Sequence, residues 1–392
     1  MKSIFYNSGT TEILSVVNGQ MQPSRSMLRA GISVIHTEKD IPRDAKTIHF
    51  LQTGFEVVPE TQKQTVMYSA IIPYEAEEVT VERDRTGLGD TISVLSAIQQ
   101  MKKEYPLINI KFRAWRPYIQ MLEGHPDIDV LEDCKTVVRQ PLEDTKKQIL
   151  IDLCHPCPGG TYETARQEET DKARAELFTQ ACGLNWEGMR PILHLEDNEK
   201  KFGMEYVYKN TNRTKKNIGL VLRSAEPWKD WPYVEEFAES CMEEFNLFVF
   251  DHALILDIEG INNTAKDLVG IREVMSVLPY MDCVITPDTG IMHMCDALDV
   301  PALSLFGSMI GKLYKEKYEN SLSIIQGRCV YGKKPCFYKV CEGKGNYQPC
   351  MSSIKPDAVM RQAKNIMYTG GISPSSRLVS NNEHEEGIMY LR

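Results

Sequence analysis

No apolar run in the 392 residues reaches the length that spans a bilayer. The N-terminal residues, Met1-Lys-Ser-Ile-Phe-Tyr-Asn-Ser8, lack the apolar stretch of an export signal. A cytoplasmic protein without a membrane span is therefore expected. A surplus of positive charge is also missing, since 45 Lys and Arg stand against 54 Asp and Glu, for a net charge of −9. This argues against general affinity for phosphate backbones or anionic membranes, and no nucleic-acid partner is expected. In a reducing compartment the eleven cysteines should be free, buried or metal-bound rather than paired. What remains is ordinary globular composition, 42% hydrophobic and 25% charged. The length implies two or three domains with room for sizeable cores.

Residues 1–75 hold nothing that looks catalytic. Short β-forming runs, Glu12–Val17, Ile32–Ile35, Thr47–Leu51 and Gln64–Ile72, are broken by turn signals at Asn18-Gly19 and Thr53-Gly54. They predict a small, mostly β N-terminal domain whose default role is assembly.

Residues 76–210 read as a first Rossmann-like domain. Glu78–Arg85 alternates like a strand. Thr86-Gly87-Leu88-Gly89-Asp90 is a glycine-rich turn, and Thr91–Lys103 places Ile92, Leu95, Ile98 and Met101 at helical spacing. Asn109–Arg113 is the next strand, completing a βαβ unit. The third glycine of the dinucleotide fingerprint is missing, so a dehydrogenase is a weak reading. From spacing alone, helix capping is the preferred role for Asp90. Further strands are expected at Asp127–Leu131 and Gln148–Leu153, and a helix at Thr170–Cys182. Cys154-His-Pro-Cys157 precedes Pro158-Gly-Gly160 rather than a helix, which favours two free thiols over a redox or metal pair. A helix at Lys200–Tyr208 and the basic stretch Lys209–Lys216 close this half.

Residues 216–328 read as a second Rossmann-like domain. Asn217–Arg223 and Leu247–Asp251 are expected strands, and Tyr233–Phe245 and Ile271–Met281 expected helices. Val284–Gly307 reads strand, turn, helix, strand. Its turn, Pro287-Asp288-Thr289-Gly290, offers backbone N–H groups and a helix start to an anion. An ordinary crossover between parallel strands accounts for it equally well. Lys229 lies in the loop Ser224–Pro232, between a strand end and a helix start, where α/β sheets bind ligands. By composition it reads as a solvated lysine beside two packing tryptophans.

Residues 329–351 form a cysteine loop with Cys329, Cys336, Cys341 and Cys350, separated by six, four and eight residues. A tetrathiolate Fe or Zn centre would order such a loop. Partly buried thiols or a redox-dependent disulfide fit as well. A helix is expected within 352–370, and 371–392 is polar and unpatterned, expected to be disordered.

Four landmarks stand in order: Gly87-Leu-Gly-Asp90 with Tyr105-Pro106 at the helix end; Arg223-Ser-Ala-Glu-Pro-Trp-Lys229-Asp-Trp-Pro232; Thr286-Pro-Asp288-Thr289-Gly290-Ile-Met-His293 running to Leu305-Phe-Gly307; and Cys350-Met-Ser-Ser-Ile-Lys-Pro356. Together, over roughly 78–368, they resemble the heptosyltransferase family, glycosyltransferase family 9. The resemblance implies the α/β fold termed GT-B, two Rossmann-like domains facing a cleft. It also implies inverting sugar transfer without a catalytic metal. Asp90 would be the general base and Lys229 would neutralise the leaving diphosphate. Asp288, Thr289, Gly290 and His293 would hold the donor, joined by Thr86, Gly87, Gly89, Arg223 and Ser224. The added N-terminal stretch and the cysteine loop are similar to the bacterial autotransporter heptosyltransferase subgroup. That likeness implies an ADP-heptose donor, a protein Ser/Thr acceptor and a cysteine-ligated metal; the extra β domain offers an assembly surface for a homo-oligomer. A lipopolysaccharide-core transferase is the alternative, and a silent nucleotide-sugar-binding or assembly protein is the alternative of another class.

Overall fold

The computed structural model describes residues 3–7, 11–17, 20–28, 31–35, 51–52 and 389–391 as backbone strands, together with 76–83, 87–134, 148–153, 173–251, 254–309, 323–329 and 349–369. The chain forms two compact units, Met1–Pro191 and Ile192–Arg392.

In the first unit, β1 (Ser3–Asn7) pairs antiparallel with β4 (Gly31–Ile35) and β5 (Leu51–Gln52). The hairpin β2 (Thr11–Val17) and β3 (Gln20–Leu28) shifts register between Glu12 and Leu14. Pro23 faces Leu14 beside that irregularity, where a residue without an N–H is tolerated. The expected strand Gln64–Ile72 lies outside the described residues.

The rest of the unit is a four-stranded parallel sheet, order β8-β7-β6-β9. Its elements are β6 (Glu78–Arg83), α1 (Leu88–Glu104), β7 (Asn109–Ala114), α2 (Arg116–Leu122), β8 (Val130–Asp133), β9 (Gln148–Asp152) and α3 (Arg174–Ala181). Val79 and Val81 on β6 and Ile110 and Phe112 on β7 are fully buried, as are Ile92, Leu95, Ile98 and Met101 of α1. Each such side chain contributes about 1.5–3 kcal/mol of burial. β8 begins at Val130 rather than at the expected Asp127. Asp129 Oδ2 accepts the Ile110 N–H at 2.8 Å and a Lys102 bond at 2.7 Å, so this residue acts as a side-chain anchor before the strand.

The second unit carries a seven-stranded sheet, order β12-β11-β10-β13-β14-β15-β16. The strands are β10 (Asn217–Val221), β11 (Asn246–Phe250), β12 (Asn262–Asn263), β13 (Cys283–Pro287), β14 (Ala302–Phe306), β15 (Ser323–Gln326) and β16 (Met389–Leu391). The helices are α4 (Asp197–Lys209), α5 (Val234–Cys241), α6 (Ile271–Val277), α7 (Gly290–Ala297), α8 (Pro349–Ser352) and α9 (Pro356–Thr369). Strands β10 to β15 are parallel, and the near-continuous apolar runs of β10, β11, β13 and β14 are buried.

Two differences from the sequence expectations have physical causes. The units divide at Pro191, ahead of α4, and not in the basic stretch Lys209–Lys216. Helix α4 packs on α6, with Arg272 paired to Glu199 and the Tyr280 hydroxyl donating to the Lys200 carbonyl at 2.7 Å. The tail expected to be disordered ends in β16, antiparallel to β15, because Ile324 to Gln326 offer an edge to pair.

Gly203 of α4 tests that packing. Glycine inside a helix costs about 0.5–1 kcal/mol relative to alanine, so propensity favours Gly203→Ala. A Cβ there, however, would overlap the Ser276 carbonyl of α6. Overpacking of this kind costs about 1–3 kcal/mol and should win. Gly203→Ala is expected to lower the urea midpoint; an unchanged or higher midpoint would contradict the close α4–α6 contact.

Candidate active site

In an open parallel sheet, ligands bind beyond the carboxyl ends of the strands, where the strand order reverses. In the second unit the chain builds outward through β10, β11 and β12, then crosses back to place β13 on the other side of β10. The reversal lies between β10 and β13, and the segments leaving these two strands carry Lys229 and Asp288.

The loop after β10 is folded by its own polar groups. The Ser224 N–H donates to Asp230 Oδ1 at 2.6 Å, and the Glu226 N–H donates to Ser224 Oγ at 3.0 Å. Pro227 opens the short 3-10 turn Pro227–Lys229. Trp231 is buried, with its ring edge against Phe237 and its Nε1–H donating to the Ile354 carbonyl at 2.8 Å. The loop is thereby tied at both ends. Burial raises the Asp230 carboxyl above the ordinary range, while the Ser224 N–H and Arg223 pull the other way.

On the far side, β13 ends in Pro287 and α7 starts at Gly290. Thr289 occupies the N-cap position but makes no side-chain cap; its Oγ1 lies 3.2 Å from Thr286 Oγ1. Asp288 is buried. Lys229 Nζ stands 2.9 Å from Asp288 Oδ2 and 3.1 Å from Glu226 Oε2, with the Trp228 ring 5.0 Å away. Burial lowers the Lys229 pKa, but the Asp288 carboxylate and then Glu226 more than offset it, so the ammonium lies above its ordinary value. The solvated-lysine reading is replaced by a buried ion pair. His293 is half-buried on α7, three residues beyond Gly290 and so on the same face.

Arg223 does not join this cluster directly. It pairs with Asp251 at the end of β11, Nε–Oδ2 3.0 Å and Nη2–Oδ1 3.3 Å.

In the first unit the strand order reverses between β6 and β9, and Asp90 follows β6. Helix α1 has Gly87 as its N-cap and no side-chain cap, so Asp90 does not cap it as spacing suggested. Its carboxylate instead takes Arg83 Nη2 on Oδ2 at 3.0 Å and Arg174 Nη1 on Oδ1. An added Cβ at Gly87 meets nothing within 4 Å, so packing does not require glycine there. Gly89 lies in the first turn of α1, where its carbonyl accepts the Ser93 hydroxyl at 2.9 Å. Thr86 lies outside the described residues.

Every described cysteine is a free thiol. Cys154 and Cys157 lie outside the described residues, as do Cys336 and Cys341. Cys350 is buried and would stand 2.9 Å from a Cβ added at Gly307, while Cys329 is partly exposed. Among the described residues no group of three or more His, Cys, Asp or Glu could hold a metal. Arg83, Arg174, Glu226 and Asp251 carry no sequence signal that singles them out; Glu226 alone is near its partner, at i, i+3 from Lys229.

Residues 259–346 match the family model Glycosyltransferase family 9 (heptosyltransferase). A lipooligosaccharide heptosyltransferase 2 of Campylobacter jejuni is 26% identical over 165 residues, 38% of this chain and 50% of that protein. The match thus spans half the length of that relative. Among solved structures, the Escherichia coli ADP-heptose lipopolysaccharide heptosyltransferase II aligns with a TM-score of 0.56 at 16% identity, over 75% of this chain and all of the other. The iron-containing dodecameric glycosyltransferase TibC of enterotoxigenic E. coli aligns with a TM-score of 0.56 at 11% identity, over 94% and 96%. At such identities the alignments show the α/β fold.

The Lys229 ion pair has a definite pH signature. Because the folded-state pKa is raised, the stabilisation is fully present below the ordinary lysine pKa of 10.5 and is lost as pH rises through the folded value. Lys229→Met leaves Asp288 buried beside Glu226 without their cation, at a cost of about 3–5 kcal/mol for an uncompensated buried charge. The stability gap between the two proteins in urea is expected to stay level from about pH 7 to 10 and to narrow above that. A gap that closes below about pH 9 would contradict the assignment.

Proposed function

We propose that this chain is an inverting glycosyltransferase of family 9, the heptosyltransferase family, using a nucleotide-sugar donor; the family model matched over residues 259–346 and the heptosyltransferase relative support the reading. The observation that carries the reading is the buried Lys229–Asp288 pair at the strand-order reversal of the second unit. In this reading the second unit holds the donor. Lys229 and the first N–H groups of α7 stabilise the charge that grows on the departing diphosphate. Asp288, Thr289 and Gly290 hold the sugar and diphosphate, His293 stands one turn further along α7, and Arg223, Ser224, Thr86, Gly87 and Gly89 complete the donor contacts.

The first unit supplies the base. The acceptor oxygen forms a bond to the anomeric carbon from the face opposite the leaving group. Its proton passes to Asp90, and the anomeric carbon–oxygen bond to the diphosphate breaks with its electron pair going to the nucleoside diphosphate. One base on the acceptor side is enough for inversion.

ADP-heptose is the donor of this reading. It is supported by the heptosyltransferase relative and by a solved structure of TibC in complex with ADP-D-beta-D-heptose. The acceptor is a Ser or Thr hydroxyl of a protein, such as an autotransporter. Residues 1–75, read as an assembly domain, and the cysteine loop favour that subgroup. The lipooligosaccharide relative favours a glycan acceptor as the second reading. Cys329, Cys336, Cys341 and Cys350 would hold structural iron or zinc. Cys350 is buried and Cys329 partly exposed, and the dodecameric, iron-containing TibC makes a homo-oligomer part of the same reading.

Two measurements test this. Asp90→Asn is expected to lower kcat by about 10²- to 10⁴-fold, while ADP affinity by calorimetry stays within about threefold. Full transfer by Asp90→Asn, followed by mass spectrometry of acceptors over a panel of nucleotide sugars, would overturn the base assignment. Elemental analysis of purified protein is expected to find about one equivalent of iron or zinc per chain. Less than about half an equivalent would sink the tetrathiolate centre.

A further inference from the structure

Asp90 is not a bare carboxylate. Its two oxygens are held from two different elements, Oδ2 by Arg83 at the end of β6 and Oδ1 by Arg174 in the first turn of α3. Arg83 is itself immobilised. It is 3% exposed, its Nη1 donates to the Leu153 carbonyl just beyond β9, and its guanidinium lies 5.0 Å from the Phe178 ring centroid. The other charged groups on the packed elements are engaged elsewhere. Glu82 of β6 stands 3.8 Å from Arg113 of β7, and Glu176 of α3 accepts from Gln180 at 3.2 Å.

An ionised carboxylate has about four lone-pair sites, and two guanidinium donors leave the outward ones open. The clamp therefore fixes the direction in which the carboxylate can accept a proton.

Resting on the reading of Asp90 as the base, the geometry points to Arg174 as a positioning residue that sets the orientation of Asp90. Arg83 forms the rigid side of the clamp. Arg174, the more exposed of the two, is the side that can be altered without emptying a core position.

The test measures kcat and donor KM for the full chain and for Arg174→Gln and Arg174→Lys, each checked for a cooperative melt. Arg174→Gln is expected to lower kcat about ten- to a hundredfold and to leave donor KM within about threefold. Arg174→Lys keeps the charge without the planar fork. It should recover kcat only in part, and it decides the matter if Arg174→Gln does not fold. An active parent chain whose two variants match it in kcat overturns this inference and leaves the transferase reading standing. A parent chain that transfers no sugar from any nucleotide-sugar donor overturns the reading and the inference together.

Discussion

Both charged clusters of this protein depend on a topological constraint: in each parallel sheet the strand order reverses once beside the first strand of its βαβ array. Connections leaving the two strands at a reversal diverge to opposite faces, and the space between them lies open beyond their carboxyl ends. The second unit fills its reversal with Lys229 and Asp288, contributed by segments that follow β10 and β13. The first unit bridges its reversal with Arg83, which ends β6, reaches the Leu153 carbonyl beyond β9 and holds Asp90. Hydrophobic strands create these positions, because Ile218, Leu220, Ile285 and Leu303 are fully or nearly fully buried and fix the neighbouring strand ends in register.

A buried lysine is costly unless paired, and the loop that carries Lys229 has no core of its own. Trp231 resolves this. Its ring enters the core below α5 and its N–H reaches the chain before α9, so a polar loop gains an apolar anchor two residues from the cation. Asp230 adds the second restraint by accepting the Ser224 N–H. The Pro-Trp-Lys-Asp-Trp run is thus one device, in which a tryptophan supplies rigidity and the lysine uses it.

Much of the fold was legible because periodicity and turn residues are local. The spacing of Ile92, Leu95, Ile98 and Met101 marks α1, and the apolar runs at Asn217 and Val284 mark β10 and β13. Lys229, Asp288 and Asp90 stood out only through an ordered set of weak motifs. Arg83 and Arg174 did not stand out at all, since Arg174 lies 84 residues from the carboxylate it binds. No local pattern encodes such a pairing. The division of the units was missed for a related reason. Lys209–Lys216 has the polarity of a linker, yet Lys216 pairs with Asp282 at 2.6 Å and Asn246 binds the Asn212 carbonyl at 2.9 Å, so the stretch is tied to the second unit at its edge.

The two clusters are electrostatic opposites. Asp90 is one carboxylate under two guanidinium groups, and Lys229 is one ammonium between two carboxylates. The first arrangement holds both oxygens of one carboxylate from two elements. The second keeps a cation charged in a buried place but leaves it with a negative surplus, which opposes an incoming anion. In the transferase reading that opposition has a use. A diphosphate must draw Lys229 away from a carboxylate, and Asp288 is then released toward the sugar hydroxyls it is proposed to hold. Donor binding on this account exchanges one ion pair for another, which lets the lysine stay charged throughout without a cation buried alone at any stage.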